Sequence, residues 1–364
     1  MKIGILTFHN PLNYGAVFQA YALRKTIAGL QDKDVEIINY SNPRIDGHVL
    51  LKQLRQDHSL KGRLKKVLAL PYMEKKCRYF DAFLERHGHL SSETYDRETL
   101  SACDQVYDTM VFGSDQIWNL KLTGNDWHYY GDFSAKMRKI AYAASFGSYD
   151  LTDCGEKVRN CMQGFSAVSC REKVACEELS QVAEIRVDHV LDPTLLLTGK
   201  DWESMEAPMQ TPDQYILLYL ISPQKEDFLH AKRLAKETGL PILYVNYTFK
   251  HFSGVRNLGA VSPKNFLYLL RNATYVVTNS FHGTVLSVNM HKDFYCQLPA
   301  RKGKVNLRAK EVLERFGLQD RCLFDGDVIS PRHIEKWDAV ERVLNEEREK
   351  SIQFLRNALE LNHE

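Results

Sequence analysis

Short apolar runs recur along the chain, each followed by a longer stretch with the apolar spacing of a helix. On that rhythm strands are expected at Ile3–Phe8, Val35–Tyr40, Val106–Phe112, Ile140–Ala144, Phe165–Cys170, Tyr215–Ile221, Ile242–Asn246, Tyr275–Thr278 and Phe294–Gln297. Strands alternating with helices build parallel sheets covered on both faces, so the expected class is α/β. A chain of 364 residues exceeds what one core usually supports, which argues for two Rossmann-like, doubly wound parallel-sheet domains facing a cleft. A polar stretch between Leu197 and Gln214, punctuated by Pro208 and Pro212, is the candidate boundary. Residues 1–198 then form the N-terminal domain and residues 199–335 the C-terminal one. The helical segment 336–364 is expected to pack back on the first.

Composition narrows the function classes. Apolar residues make up 44% and charged residues 26% of the chain, which is ordinary globular usage. The 48 basic and 46 acidic side chains leave a formal charge of only +2. No global field therefore draws in nucleic acid, and any anion site must be local. Cys77, Cys103, Cys154, Cys161, Cys170, Cys176, Cys296 and Cys322 include no CxxC pair, so neither a disulfide framework nor a zinc site is expected. The opening Lys2-Ile3-Gly4-Ile5-Leu6 reads as a first strand rather than a signal peptide or membrane span, and the expected location is the cytosol.

Doubly wound sheets bind ligands beyond the carboxyl ends of their strands, where loops feed helix N-termini. Four such junctions carry chemistry. After the first strand, Asn10, Asn13 and Tyr14 offer uncharged hydrogen-bonding groups suited to sugar hydroxyls, and Gly15 allows backbone to approach a ligand; the alternative is a turn with an Asn cap. In Gly113-Ser114-Asp115-Gln116-Ile117-Trp118, Asp115 could be a general base, Gln116 offers an amide and Trp118 an apolar wall; the alternative is that Ser114 or Asp115 caps a short helix. Arg171 stands at a helix start, where a cation opposes the helix dipole. It either answers a bound anion or pairs with Glu172 or Glu177 on a solvated face. In Ser280-Phe281-His282-Gly283-Thr284 a histidine, able to exchange a proton near neutrality, enters the turn before a helix.

Together TFHNPLNYGAVFQAYAL, VFGSDQIWN, VSCREK, VLDPTLLL, VTNSFHGTVLS and NLRAKEVLERFGLQDR resemble the polysaccharide pyruvyl transferase family in order and spacing over nearly the whole chain. The resemblance implies a GT-B-like fold with the active site between the two domains, the acceptor on the N-terminal side and the donor on the C-terminal side. It also implies transfer of the pyruvyl unit of phosphoenolpyruvate to two hydroxyls of a sugar in a surface polysaccharide precursor. No metal or organic cofactor is expected, and whether the acceptor is lipid-diphosphate-linked or nucleotide-linked stays open. By resemblance His282 is the catalytic histidine and Arg171 an arginine that contacts phosphoenolpyruvate. Some members carry a second arginine where this chain has Ser280; either another cation replaces it, with Arg301, Lys302, Lys304 and Arg308 as candidates, or the donor differs. Two other readings remain open: a nucleotide-sugar glycosyltransferase of the same fold, and a non-catalytic protein that closes on an anionic sugar. The basic region Leu51–Tyr79, with Lys52, Arg55, Lys61, Arg63, Lys65, Lys66, Lys75, Lys76 and Arg78, is either a solvated helical face or a peripheral contact with anionic lipid.

Overall fold

The structure is a computed structural model. It describes residues 2–360 apart from 31–33, 57–59, 135, 222, 224, 246–251, 299–306 and 325, with residues 60–68, 226 and 307 described as backbone alone. The chain divides into two compact units. Unit 1 comprises Met1–Lys52, Asp81–Leu196 and Asn345–Glu364, and unit 2 comprises Gln53–Phe80 and Leu197–Leu344.

Unit 1 holds a seven-stranded sheet of β1 (Ile3–Leu6), β2 (Val35–Tyr40), β3 (Leu90–Tyr95), β4 (Thr109–Phe112), β5 (Arg138–Ala144), β6 (Phe165–Cys170) and β7 (Asp188–His189), in the order β3-β2-β1-β4-β5-β6-β7. Every pairing is parallel. Its helices are α1 (Tyr14–Leu30), α4 (Leu120–Thr123), α5 (Gly155–Met162) and α6 (Lys173–Ala183), while α2 (Gly47–Gln56) begins in unit 1 and ends in unit 2 and α3 (Leu60–His87) begins in unit 2 and ends in unit 1. The central strands β1 and β4 are buried at every position, which is why they read as unbroken apolar runs instead of alternating ones.

Unit 2 repeats the plan. After α7 (Gly199–Glu203), β8 (Ile216–Tyr219), β9 (Ile242–Val245), β10 (Arg256–Asn257), β11 (Tyr275–Thr278), β12 (Phe294–Gln297) and β13 (Cys322–Leu323) form a parallel sheet in the order β10-β9-β8-β11-β12-β13. Its helices are α8 (Lys225–Thr238), α9 (Pro263–Asn272), α10 (Phe281–Asn289) and α11 (Leu307–Arg315). The last helix, α12 (Trp337–Ala358), begins in unit 2 and ends in unit 1. There Leu191 N donates to Ser351 Oγ at 2.9 Å and Arg348 Nε to Leu195 O at 2.8 Å.

All nine expected strands form, though several are shorter than the apolar runs that announce them: Val106 and Asp108 precede β4, Ile221 lies beyond β8, and Asn246 lies outside the described residues. Four strands had no apolar signal: β3, β7, β10 and β13. They are the four edges of the two sheets. Three are only two residues long, and β3, with the polar sequence LSSETY, is exposed at Ser92, Glu93 and Thr94, as edge strands that must not template aggregation tend to be.

The basic region forms α2 and most of α3, the latter with Pro71 inside it. The side chains of Lys61, Arg63, Lys65 and Lys66 lie outside the described residues. Lys52, Lys75 and Arg78 are exposed, and Arg55 pairs with Glu74 at 2.7 Å. Lys76 departs from a solvated face: it is 1% exposed, and burial pushes its ammonium down to about 7. Among the described residues no helix is long and apolar enough to cross a membrane.

Candidate functional site

In unit 1 the loops after β1, β4, β5 and β6 share one edge of the sheet, because those strands are parallel neighbours. The first loop folds mainly through its own polar groups. Helix α1 begins at Tyr14, where Asn13 Oδ1 accepts from Gly15 N at 2.8 Å and so caps it. Gly15 is thereby a buried helical residue, and Tyr14 is 2% exposed and stacks on Phe18. Asn10 Nδ2 donates to Tyr40 O at 3.0 Å and to Asp46 Oδ2 at 3.2 Å. Asp46 in turn accepts from His48 N and Val49 N at the start of α2. Asn10 thus braces its loop and Asn13 caps α1.

The second loop is under tight backbone control. Gly113 has φ +118°, and a Cβ there would lie 2.2 Å from Tyr142 O; only glycine fits. The following peptide, Gly113–Ser114, is cis, and Asp115 has φ +67°. Ser114 N donates to Gln19 Oε1 at 3.1 Å, and Gln19 Nε2 lies within hydrogen-bond distance of Thr7 Oγ1, Phe8 O and Ala16 O. One buried glutamine thus ties the β1 and β4 loops together. Ser145 N donates to Asp115 O at 3.0 Å, pinning the β5 loop as well. Neither Ser114 nor Asp115 caps a helix: the cap of α4 is Asn119, which accepts from Leu122 N. Gln116 Oε1 accepts from Asn119 Nδ2 at 3.3 Å. Trp118 is a correction to the sequence reading. It is fully buried, donates from Nε1 to Tyr129 O and stacks on Tyr130, so it belongs to the core and lines no ligand wall.

Arg171 follows β6 and draws these loops into one cluster. Its side chain is wholly buried, and each guanidinium nitrogen meets a carboxylate of the protein: Nε donates to Glu172 Oε1 at 3.0 Å, Nη1 to Asp192 Oδ2 at 2.7 Å, and Nη2 to Asp115 Oδ1 at 3.2 Å. Three nearby carboxylates hold the guanidinium charged against the cost of burial. The pairing with Glu172 was one of the expected alternatives, but it is buried, not solvated. Of the three acids Asp115 is the most accessible, at 14% side-chain exposure against 8% for Glu172 and 1% for Asp192. Sequence reasoning quoted Asp192 in VLDPTLLL without giving it a role. The signal was present, since Asp-Pro-Thr is a turn-capping pattern and Asp192 Oδ1 accepts from Thr194 N and Oγ1.

In unit 2 the residues of interest open α10. Ser280 is the N-cap, its Oγ accepting from Gly283 N at 3.2 Å, and Thr284 Oγ1 donates to Ser280 O at 3.0 Å and lies 3.2 Å from Cys296 Sγ. Gly283 serves packing: a Cβ there would lie 2.4 Å from Thr278 Oγ1 and 3.0 Å from Tyr219 Cδ1, so α10 presses against β8 and β11. His282 is 7% exposed and meets the Phe281 ring edge-on at 5.2 Å. The Arg308 guanidinium lies over the same Phe281 ring at 5.9 Å, in cation–π range. Of the four candidate cations Arg308 is therefore beside the histidine turn, whereas Arg301, Lys302 and Lys304 lie outside the described residues. The sequence reading passed over two polar residues near this turn: Asn279 Nδ2 donates to the fully buried Asp227 Oδ2 at 3.2 Å.

A cavity of about 1180 Å³ in unit 1 contains none of these residues. It runs from Ser166, Ala167 and Val168 in the first half of β6 to Asn345, Phe354 and Asn357 of α12, away from the end of β6 that carries Arg171.

Two doubly wound parallel-sheet units, each with its polar chemistry at the carboxyl ends of its strands, define a Rossmann-type protein of the GT-B kind. The chain belongs to the polysaccharide pyruvyl transferase family, whose model matches residues 13–296, and it is accordingly a transferase. Among solved structures it is similar to a putative UDP-N-acetylglucosamine 2-epimerase from Listeria monocytogenes, at 9% identity over 98% of this chain and 91% of that one, with a TM-score of 0.52. It is also similar to the UDP-GlcNAc 2-epimerase from Methanocaldococcus jannaschii in complex with UDP-GlcNAc and UDP, at 14% identity over 100% of both chains and a TM-score of 0.49. At 9% identity the likeness to the Listeria monocytogenes structure is one of fold alone. A search of curated proteins finds no match.

Proposed function

We propose that this transferase is a ketal pyruvyltransferase, moving the pyruvyl group of phosphoenolpyruvate onto two hydroxyls of a sugar in a surface polysaccharide precursor. The observation that carries the reading is the α10 turn. His282 stands in the first turn of a nine-residue helix that follows β11, with Arg308 stacked on its neighbour Phe281. A proton-carrying imidazole, the positive end of a helix and a fixed guanidinium suit a donor that bears both a carboxylate and a phosphate.

In this mechanism His282 protonates the methylene carbon of the donor, and the C–C π electrons form the new C–H bond. The adjacent carbon becomes oxocarbenium-like. One sugar hydroxyl attacks it, the C–O bond to phosphate breaks, and a second hydroxyl closes the ketal. Of the two hydroxyl protons released, one restores the proton given to carbon and the other leaves on phosphate; no electrons are gained or lost overall. Asp115, the most accessible acid of its cluster, is assigned as the base that takes the hydroxyl proton.

The test is to incubate the pure protein with phosphoenolpyruvate and a panel of nucleotide-linked and lipid-linked sugars, following inorganic phosphate and the pyruvyl mass added to the acceptor. Nucleoside diphosphate released from a nucleotide sugar, with phosphoenolpyruvate untouched, would overturn the assignment in favour of glycosyl transfer. Changing His282→Ala should lower turnover on the order of 10²-fold or more, and near-normal turnover in that variant removes its role.

A further inference from the structure

We propose that Asn279 and Asp227 are positioning residues that fix the turn carrying His282 and so hold its imidazole in place for proton transfer. The inference rests on the assignment of His282 as the acid. Three consecutive side chains hold the backbone that leads into α10. Thr278 Oγ1 donates to Tyr219 O at 2.6 Å and accepts from Ser280 N at 3.1 Å. Asn279 Oδ1 accepts from Ile221 N at 2.6 Å, and its Nδ2 donates to Asp227 Oδ2 at 3.2 Å. Ser280 Oγ then caps the helix by accepting from Gly283 N. Tyr219 ends β8, Ile221 lies in the loop after it, and Asp227 stands in the first turn of α8. The turn is therefore anchored to a strand, a loop and a helix at once.

The Asn279 anchor is the stringent one. A backbone N–H can only donate and a carboxylate can only accept, so the two partners fix which end of the amide faces which. Turned the other way, the amide would set its own N–H groups against the Ile221 N–H and its oxygen against Asp227, and both bonds would be lost. Asp227 is fully buried, and taking a hydrogen-bond donor away from a buried carboxylate is costly. That cost resists drift of the turn. The place of Asp227 suits its charge, because the positive end of the α8 dipole favours a carboxylate in the first turn. Further along α10, Thr284 and Ser287 donate to Ser280 O and Gly283 O. They brace the helix internally, whereas Thr278 and Asn279 fasten its start to the β8 end of the sheet. His282 stands three residues past Asn279 and is 7% exposed, so a shift of the anchor carries the imidazole with it.

The experiment compares Asn279→Asp with the exchange Asn279→Asp plus Asp227→Asn. The single change is isosteric and keeps the acceptor for Ile221 N, but it sets a second carboxylate against Asp227. The exchange restores an amide–carboxylate pair in the reverse sense. Turnover and donor KM are measured by phosphate release from phosphoenolpyruvate, and the His282 position by crystallography of each variant. A positioning role predicts that in Asn279→Asp the imidazole moves by about 1 Å and kcat falls on the order of 10²-fold, the usual effect of such a misplacement. Donor KM should stay within roughly 3-fold of the parent. The exchange should recover roughly tenfold or more of the lost kcat, as coupled partners do, and return the imidazole to its place. The proposal is overturned if Asn279→Asp turns over like the parent, if the loss lies in KM and not in kcat, or if the exchange recovers nothing. Should Asn279→Asp not fold, Asn279→Ala, which removes both bonds without adding a charge, decides by the same kcat, KM and position readings. If the parent protein does not turn over phosphoenolpyruvate, the functional assignment has failed, and displacement of His282 in Asn279→Asp with its return in the exchange still decides the positioning claim.

Discussion

Replacing Gly113 by alanine tests how tightly the Asp115 loop is built. The new Cβ would sit 2.2 Å from Tyr142 O, where ordinary contact begins near 3.4 Å, so the loop and β5 must part by roughly 1 Å to relieve the clash. The obstacle is backbone, which no rotamer change can move. The φ of +118° adds strain of about 1–3 kcal/mol for any residue with a Cβ. Together these set a loss of about 3 kcal/mol or more, which for a unit of this size lowers Tm by roughly 6–12 °C. Asp115 lies two residues on, and a shift of about 1 Å there predicts a loss of turnover on the order of 10²-fold. Circular-dichroism melts and phosphate-release assays measure the two effects. Gly29→Ala is the control, since Gly29 is an exposed position near the end of α1 with no atom within 4 Å of a new Cβ; it should gain up to about 1 kcal/mol. A Tm for Gly113→Ala within about 2 °C of the parent would refute the steric argument.

Two further outcomes follow from packing and burial. Gly283→Ala drives a Cβ onto Thr278 Oγ1 at 2.4 Å, and that hydroxyl already donates to Tyr219 O at 2.6 Å. Helix α10 should therefore back away from the sheet, with a stability loss of about 1–3 kcal/mol and a fall in turnover; a melting curve superimposable on the parent's would contradict this. Lys76 loses its proton at about pH 7 in the folded protein and near 10.5 when exposed, so between those values the unfolded chain binds more protons. Stability should consequently rise with pH from 7 toward 10, by up to about 1.4 kcal/mol per pH unit. Lys76→Met should abolish that slope and be more stable than the parent at pH 7, and parallel stability-against-pH curves for the two proteins would refute it.

Much of the fold was written in local pattern. A central parallel strand is buried on both faces, so Ile3–Leu6 and Tyr275–Thr278 had to be apolar throughout and were visible as such. Edge strands carry no such requirement, and β3, β7, β10 and β13 left no periodic trace. The candidate chemistry was legible where it coincides with a strand-to-helix junction, as at Asp115, Arg171 and His282. Their partners were not, because Asp192 and Gln19 stand 77 and 96 residues from Asp115 and Ser114 is joined to them only by the folded chain.

The sequence by itself determined the α/β class, the junctions where polar groups collect, and the motifs that mark the family, since each depends on neighbours within one strand or one turn. Only the tertiary structure decided what those polar groups are bonded to. A guanidinium draws its carboxylates from any loop on the same sheet edge, whatever the chain distance, and in this protein they arrive from three different loops to enclose Arg171. That is why the partners of an arginine read from its position as standing at a helix start become visible only in the fold, where its buried guanidinium meets three carboxylates.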